Sequence, residues 1–238
     1  MNPMTRSISR RAALTAALAV LAAPAFAQAR SPVSILAFGQ AGAAQAASLP
    51  WTPLAGPERA AALAEANTAL NGVARLQGRF TQFSPDGGRI AGAFYMQRPG
   101  KLRFEYDPPA TTLIVADGSV VALRDTALRT TDRTPLRSTP LNFILKSNID
   151  LARDARIVNV ARQGADILVT ARDRAGQMDG QITMRLSGPN RQLASWEVVD
   201  AAGARTRIVL SELTRPAALD RNLFRLTDVI DSRQHGPR

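Results

Sequence analysis

Few residues of this 238-residue chain have side chains that commonly do chemistry in enzymes. There is no Cys, which excludes disulfides, thiolate nucleophiles and Cys-ligated metal sites, and the single His, His235, lies near the end of the chain. Asp173 and Asp179 flank a short turn and are interpreted as solvated turn acids. The motifs of serine-nucleophile, phosphate-binding, dinucleotide-binding and zinc-protease sites are absent. We therefore expect no catalytic residues, no metal site and no cofactor.

Charge is the other chemical property of the chain. It has 30 Lys and Arg against 19 Asp and Glu, a net charge of +11, and its only lysines are Lys101 and Lys146. A basic balance of this kind is compatible with nucleic acid, anionic lipid or acidic protein partners. An arginine-rich genome would give the same balance on a solvated surface. We therefore expect no specific nucleic-acid binding.

Residues 1–27 have the pattern of an export signal. Arg6, Arg10 and Arg11 precede an apolar run over 12–23, and a small-x-small site ends at Ala27. The run is too short to span a bilayer. A twin-arginine signal and a general secretory signal with two adjacent arginines both fit. Cleavage after Ala27 would remove three positive charges and no acid, which leaves +8 on a periplasmic protein.

The remaining chain is predicted to contain one domain over 57–226, preceded by a loosely ordered leader over 28–56 and followed by a polar tail over 227–238. A helix is expected at 57–71, where Pro and Glu occupy the first turn. Shorter helical segments are expected near 139–146 and 149–153, between about ten strands of alternating apolar and polar residues. Short turns between consecutive strands predict a mainly β (α+β) fold: an antiparallel sheet that curls and whose concave face the helices cover.

The most informative stretch runs from Arg98 to Pro109 and begins Arg-Pro-Gly-Lys. It is accompanied, in order, by Phe80-Thr81-Gln82-Phe83, Gly92-Ala93-Phe94, the hairpin signal Asp117-Gly118 and Thr139-Pro140-Leu141. In this order and spacing the segments resemble the LolA family of periplasmic lipoprotein carriers. The resemblance extends over residues 57–226, and beyond residue 150 it depends on the rhythm of the strands alone.

The resemblance implies an incomplete, strongly curved antiparallel β-barrel with two or three helices as a lid over an apolar cavity. It implies acylated lipoproteins as cargo, an inner-membrane ABC transporter as donor and, where one is present, a LolB-type receptor as acceptor. In the family, the arginine of the Arg-Pro motif hydrogen-bonds the lid and keeps it closed, a role that falls on Arg98. The apolar position four residues later matches Leu102, where the family often has an aromatic residue.

A carrier of acyl chains needs apolar surface that is covered but not packed solid, because each buried CH₂ group contributes about 0.8 kcal/mol. The alternation of the strands predicts five inward residues as the acyl-binding surface: Phe80, Phe94, Met96, Leu102 and Phe104. Ordinary core residues would follow the same alternation, so both interpretations stay open for each of the five. A solvated turn position stays open for Arg98.

Other functions are less favoured by the sequence. A related half-barrel that senses or carries another lipid in the envelope is the alternative, and a periplasmic hydrolase lacks a recognisable nucleophile. A LolB-type acceptor needs a lipidated N-terminal Cys, and the chain has none. The sequence therefore predicts a periplasmic, monomeric lipoprotein carrier without enzymatic activity.

Overall fold

The computed structural model describes residues 50–174 and 180–225. The predicted export signal, most of the leader, the polar tail and the predicted turn acid Asp179 lie outside the described residues. The described end of the leader is ordered on the sheet, because strand β1, Thr52–Pro53, pairs with Arg162 and Ala161. The first helix begins at Gly56 and ends at Asn71, close to its predicted limits.

The described part of the chain has twelve strands, three α-helices and two 3₁₀ turns. In chain order they are β1 Thr52–Pro53, α1 Gly56–Asn71, β2 Arg75–Phe83, β3 Arg89–Gln97, β4 Lys101–Tyr106, β5 Thr112–Asp117, β6 Val120–Asp125, β7 Thr130–Pro135, a 3₁₀ turn Leu136–Ser138, α2 Asn142–Leu145, α3 Leu151–Asp154, β8 Ala155–Gln163, β9 Asp166–Asp173, β10 Gln181–Ser187, β11 Gln192–Val199, β12 Arg205–Thr214 and a 3₁₀ turn Arg221–Phe224.

All twelve strands belong to one antiparallel sheet in the order β1-β8-β9-β10-β11-β12-β2-β3-β4-β5-β6-β7. Among the described residues its two edges, β1 and β7, do not pair with each other, so the barrel is incomplete. This arrangement confirms the predicted large, unclosed antiparallel sheet with few helices. The chain leaves β7 at one edge and enters β8 near the other, so the segment that carries α2 and α3 crosses the sheet.

Helix α1 packs on the concave face through a narrow stripe of two alanines and a leucine. Ala62, Ala66 and Leu70, spaced four apart, are its buried positions, and they join the same core as the inward residues of the strands. Phe143, Ile144 and Leu145 of α2 and Leu151 of α3 are buried in that core as well. The helices therefore cover the concave face, as the sequence predicts, because that face is the apolar one.

A second, smaller apolar contact lies on the convex face. The 3₁₀ turn Arg221–Phe224 contacts β4 and β5, and Arg103 Nη1 donates a hydrogen bond of 3.3 Å to the Leu223 carbonyl. Phe224 is buried, as is Val115, whose alternation on β5 places it on the convex side. The end of the described chain is thereby held against the outside of the sheet.

Candidate functional site

The five predicted inward residues lie on the concave face, in the middle of the sheet. Phe94 stands directly opposite Phe104, and Met96 opposite Leu102, across the β3–β4 pair. Phe80 lies on the neighbouring strand β2. Each of the five is at most 2% exposed. The alternation therefore identifies the face correctly, while a role of these residues in acyl binding stays a prediction.

The aromatic members of this group pack against one another. The ring centroids of Phe80 and Phe104 are 4.7 Å apart in an edge-to-face contact, and those of Phe94 and Phe104 are 5.4 Å apart. Trp196 of β11 reaches the same cluster, 6.0 Å from Phe104. Tyr106 lies 5.0 Å from Phe80, and its hydroxyl donates a buried hydrogen bond of 2.7 Å to Gln82. The middle of the concave face is thus closely packed.

Trp196 is a concave-face residue that the sequence analysis misses. Strand β11 carries one extra residue, because Arg185 pairs with Ser195 whereas Leu186 pairs with Leu193, which leaves Ala194 without a partner. Leu193 and Trp196, three residues apart, are therefore both buried. A local alternation pattern carries no signal for such a shift, although an isolated Trp in a predicted strand is a fair sign of a core position.

A cleft beside this cluster separates the lid from the sheet. It has a volume of about 10 Å³, the size of one water molecule, and lies between the end of α1, α2, and strands β2, β3 and β11. Its lining consists of Ala69, Leu70, Val73, Leu76, Met96, Arg98, Ile144, Gln192 and Leu193. Of the six residues predicted to form the site, Met96 and Arg98 line the cleft, and the other four are buried in the core without lining it. At this place the space between the lid and the sheet is therefore narrow.

Among the described residues that line the cleft, Arg98 is the one cation. Its Nε is buried and has no hydrogen-bond partner among the described residues. Burial in these apolar surroundings lowers the pKa of the Arg98 guanidinium to about 10, which leaves it protonated at neutral pH. Its backbone N–H donates to the Ala74 carbonyl at 2.8 Å, which fixes the start of the turn to β2. A charged group in an apolar cleft is costly unless it gains a partner.

The same turn holds the lid through its backbone. Gly100 N–H donates a hydrogen bond of 2.8 Å to the carbonyl of Leu145, the last residue of α2. Gly100 has a φ of +75°, and a Cβ there would come within 2.5 Å of the Gly118 Cα. Glycine is thus required for both the conformation and the close approach of the two turns. The Arg-Pro-Gly-Lys motif therefore places a cation and a lid contact side by side.

Helix α1 is tied to the segment that follows α2 by two asparagine side chains. Asn71 Nδ2 donates to the Ile149 carbonyl, and Asn71 Oδ1 accepts from the Ile149 N–H, both at 2.8 Å. Asn67 Oδ1 accepts from the Leu151 N–H at 3.0 Å. Ile149 and Leu151 are buried, so these side chains satisfy backbone groups that have little access to water. The two parts of the lid are thereby joined.

We expect Asn71→Ala to lower the free energy of unfolding by about 1–2 kcal/mol, because both backbone groups of Ile149 would lose their partners. Urea denaturation followed by circular dichroism measures the change. Asn190→Ala, in an exposed turn before β11, is the matched control and should shift stability by less than about 0.5 kcal/mol. Equal losses in the two variants would show that the paired bonds to Ile149 contribute nothing specific.

Charged groups fasten the other side of α1 to the sheet. Glu65 accepts hydrogen bonds from Arg162 of β8 and from Arg191, each at 3.0 Å. The bond from Arg162, supported by that from Arg191, holds the pKa of Glu65 below its ordinary value. Arg59 Nη2 donates to the Ile157 carbonyl at 3.0 Å. Helix α1 is thus anchored to the sheet by polar contacts in addition to its buried apolar stripe, whereas the contacts described for α2 are apolar packing and the Gly100 bond.

The described residues were also compared with two other kinds of site, a metal centre and a membrane span. In residues 50–174 and 180–225 no group of three or more His, Asp or Glu side chains is placed to hold a metal ion. In the same residues no helix has both the length and the apolar character needed to cross a membrane.

Comparison with known proteins shows the family of the chain. The family described as outer membrane lipoprotein carrier protein LolA matches residues 71–227. An outer-membrane lipoprotein carrier protein from Chromobacterium violaceum is 30% identical over 173 residues, which are 70% of this chain and 83% of that protein. Another from Xylella fastidiosa is 32% identical over 195 residues, 76% of this chain and 92% of that protein.

Among solved structures, a LolA superfamily protein from Nitrosomonas europaea aligns with a TM-score of 0.43 and 9% identity over 71% of this chain and 97% of that one. The family match and the two carrier relatives confirm the resemblance found in the sequence, and the chain belongs to the LolA family.

Proposed function

We propose that this protein binds the acyl chains of lipoproteins released from the inner membrane and carries them through the periplasm to the outer membrane. The proposal is supported by the family, whose described members are lipoprotein carriers, and by the export pattern of residues 1–27. The carrier works by binding and release and performs no bond chemistry. Its donor is an inner-membrane ABC transporter and its acceptor a LolB-type receptor, where one exists.

One observation carries the proposal: an apolar concave sheet face covered by short helices, with a cleft of about 10 Å³ between them. An acyl chain cannot enter a cleft of that size, so the lid has to move away from the sheet for cargo to bind there. Such movement exposes apolar surface of the protein, which the acyl chain can cover again. Each CH₂ group that is buried contributes about 0.8 kcal/mol of favourable free energy. A closed empty state and an open loaded state follow from this exchange.

The helices differ in how they can take part. Helix α1 is fastened by Glu65 and Arg59 to the sheet, whereas α2 depends on the Gly100–Leu145 bond and on apolar contacts of Phe143, Ile144 and Leu145. Apolar contacts of this kind can be exchanged for contacts with an acyl chain, while ion pairs cannot. Within this proposal α2 is the part of the lid that moves.

The purified mature protein is expected to bind a fluorescent acyl probe saturably and to unfold at a higher temperature with the probe present. At a free concentration of 100 times the Kd, the added stability is about 2.7 kcal/mol. Met96→Gln, on the cleft, should weaken binding because it places an amide in the path of the chain. Gln97→Met, the next residue and on the outer face of β3, is the control and should leave binding unchanged.

The cargo itself is identified by mass spectrometry of protein purified from the periplasm. A co-purified triacylated lipoprotein is the expected result. Absence of probe binding by well-folded protein would overturn the carrier proposal, and a free lipid in place of a lipoprotein would replace the proposed cargo.

A further inference from the structure

A line of three side chains crosses the convex face of the sheet, away from the lid. Arg207 of β12, Phe83 of β2 and Arg89 of β3 occupy directly opposite positions on three adjacent strands. The inward neighbours of Phe83 on its strand are Phe80 and Gln82, so its own side chain lies on the outer face. We call these three residues the Phe83 patch.

The Phe83 patch holds an aromatic ring between two cations. The Arg207 Cζ lies 4.6 Å and the Arg89 Cζ 5.9 Å from the centroid of the Phe83 ring. Both distances are within the range of cation–π attraction. Arg89 and Arg207 are exposed, and Phe83 is half-buried between them. The Phe83 ring attracts both guanidinium groups and so offsets part of the repulsion between them.

Carboxylates near the Phe83 patch are engaged elsewhere. Glu197 stands opposite Arg207, but its carboxylate accepts a hydrogen bond of 2.9 Å from Arg205. Asp86, in the turn before Arg89, accepts from the Gly88 backbone N–H. Among the described residues neither Arg89 nor Arg207 forms an ion pair. Counting Arg205 and Glu197, this surface keeps an excess of positive charge.

The surface next to the Phe83 patch is formed by an outward row of uncharged side chains. Val209, Thr81 and Ala91 form the adjacent outward row on the same three strands, and all three are half-buried. The strands β12, β2 and β3 are interior strands of the sheet, so their backbone groups are already paired on both sides. A peptide strand therefore has no free edge to join here.

We propose that the Phe83 patch is a contact site for the surface of an anionic phospholipid membrane. The two guanidinium groups would bind lipid phosphates, and the ring between them would lie at the level of the headgroups. An aromatic ring between two cations, on a face without a free strand edge, has the chemistry of a membrane-interface contact, in which cations meet phosphates and a ring lies at the headgroups. The net charge of +8 after signal removal would add attraction over a longer range.

The proposed contact between the Phe83 patch and the membrane is weak and reversible, because it depends on only two arginines and one ring. Each arginine near an anionic surface changes the partition coefficient by about fivefold, and the effect falls within a Debye length, about 8 Å in physiological salt. A carrier that must leave each membrane again needs a contact of this strength. The proposal itself concerns the convex face and does not depend on acyl chains entering under the lid.

The test uses the mature protein and sedimented vesicles of phosphatidylglycerol and phosphatidylethanolamine, with phosphatidylcholine vesicles for comparison. The double variant Arg89→Gln/Arg207→Gln should reduce partitioning to the anionic vesicles by about 25-fold, the product of two fivefold steps. Phe83→Leu, which keeps an apolar side chain but removes the ring, should reduce it severalfold. Binding of the wild type should fall when NaCl is raised.

The matched control is Arg156→Gln/Arg172→Gln. These two arginines are also exposed, opposite one another on β8 and β9, and on the convex face, so the control removes the same charge from another place. It should change partitioning by no more than about twofold. Acyl-probe binding by the Arg89→Gln/Arg207→Gln protein should equal that of the wild type, which separates failure at this surface from failure of the carrier function.

Three results would overturn the proposal. The first is that wild-type protein does not partition to anionic vesicles. The second is that both double variants lose partitioning equally, which would reduce the effect to net charge. The third is that the protein binds an acidic peptide through Arg89 and Arg207 while ignoring vesicles, which would assign the Phe83 patch to a protein partner.

Discussion

An Arg98→Leu variant is expected to hold acylated cargo more tightly than the wild type and to release it about ten- to a hundredfold more slowly. Arg98 lies on the cleft, its Nε is buried and has no hydrogen-bond partner among the described residues, and burial lowers its pKa to about 10. Leucine in its place removes a buried charge and offers apolar surface instead. Burying a leucine side chain contributes about 1.5–3 kcal/mol to the binding free energy of the cargo. If the whole gain lowers the dissociation rate, release slows by about ten- to a hundredfold.

Uptake from the donor should change much less than release, because association rates vary little among variants of one interface. The measurement is transfer of a labelled lipoprotein from the loaded carrier to acceptor membranes. Arg98→Lys keeps the charge and should behave closer to the wild type. Arg137→Leu, an exposed arginine in the 3₁₀ turn before α2, is the control for loss of one charge. If the Arg98→Leu variant released cargo at the wild-type rate, Arg98 would have no role in release and would be an ordinary turn residue.

Phe104→Ala is expected to lower the free energy of unfolding by about 3–5 kcal/mol, the usual cost of truncating a packed core aromatic residue. Phe104 is 1% exposed and contacts Phe80, Phe94 and Trp196 at centroid distances of 4.7, 5.4 and 6.0 Å. The space left behind is apolar on all sides, and such cavities remain dry and accept apolar ligands. The folded variant should therefore bind the acyl probe at least as well as the wild type.

This result decides between the two interpretations of the inward residues. A residue that lines open space loses few contacts when it is truncated, so a loss below about 1 kcal/mol would identify Phe104 as cavity lining instead of core. Thermal and urea unfolding give the stability, and fluorescence titration gives the probe affinity. Tyr95→Ala, an aromatic truncation on the outer face of the neighbouring strand, is the control and should cost about 1 kcal/mol or less.

Local patterns in the sequence were sufficient for the elements and for the direction of their side chains. The alternation of Leu102 and Phe104 with Lys101 and Arg103 predicts both a strand and its buried face, because successive strand residues point to opposite sides. The Pro and Glu at the start of α1 predict its beginning, since both suit the first turn of a helix. The order of the motifs around Arg98 was sufficient for the family.

Contacts between distant parts of the chain decided the rest. The place of Trp196 depends on a shift in strand pairing at Arg185 and Leu186, and the fastening of α1 depends on Arg162 and Arg191, which follow Glu65 by 97 and 126 residues. The size of the cleft depends on how closely α1 and α2 approach the sheet. A sequence period reports which way a side chain points, because that is set by the neighbouring backbone. It does not report how far away the opposing surface lies. That distance decides whether the space between the sheet and the lid is a narrow cleft or an open cavity.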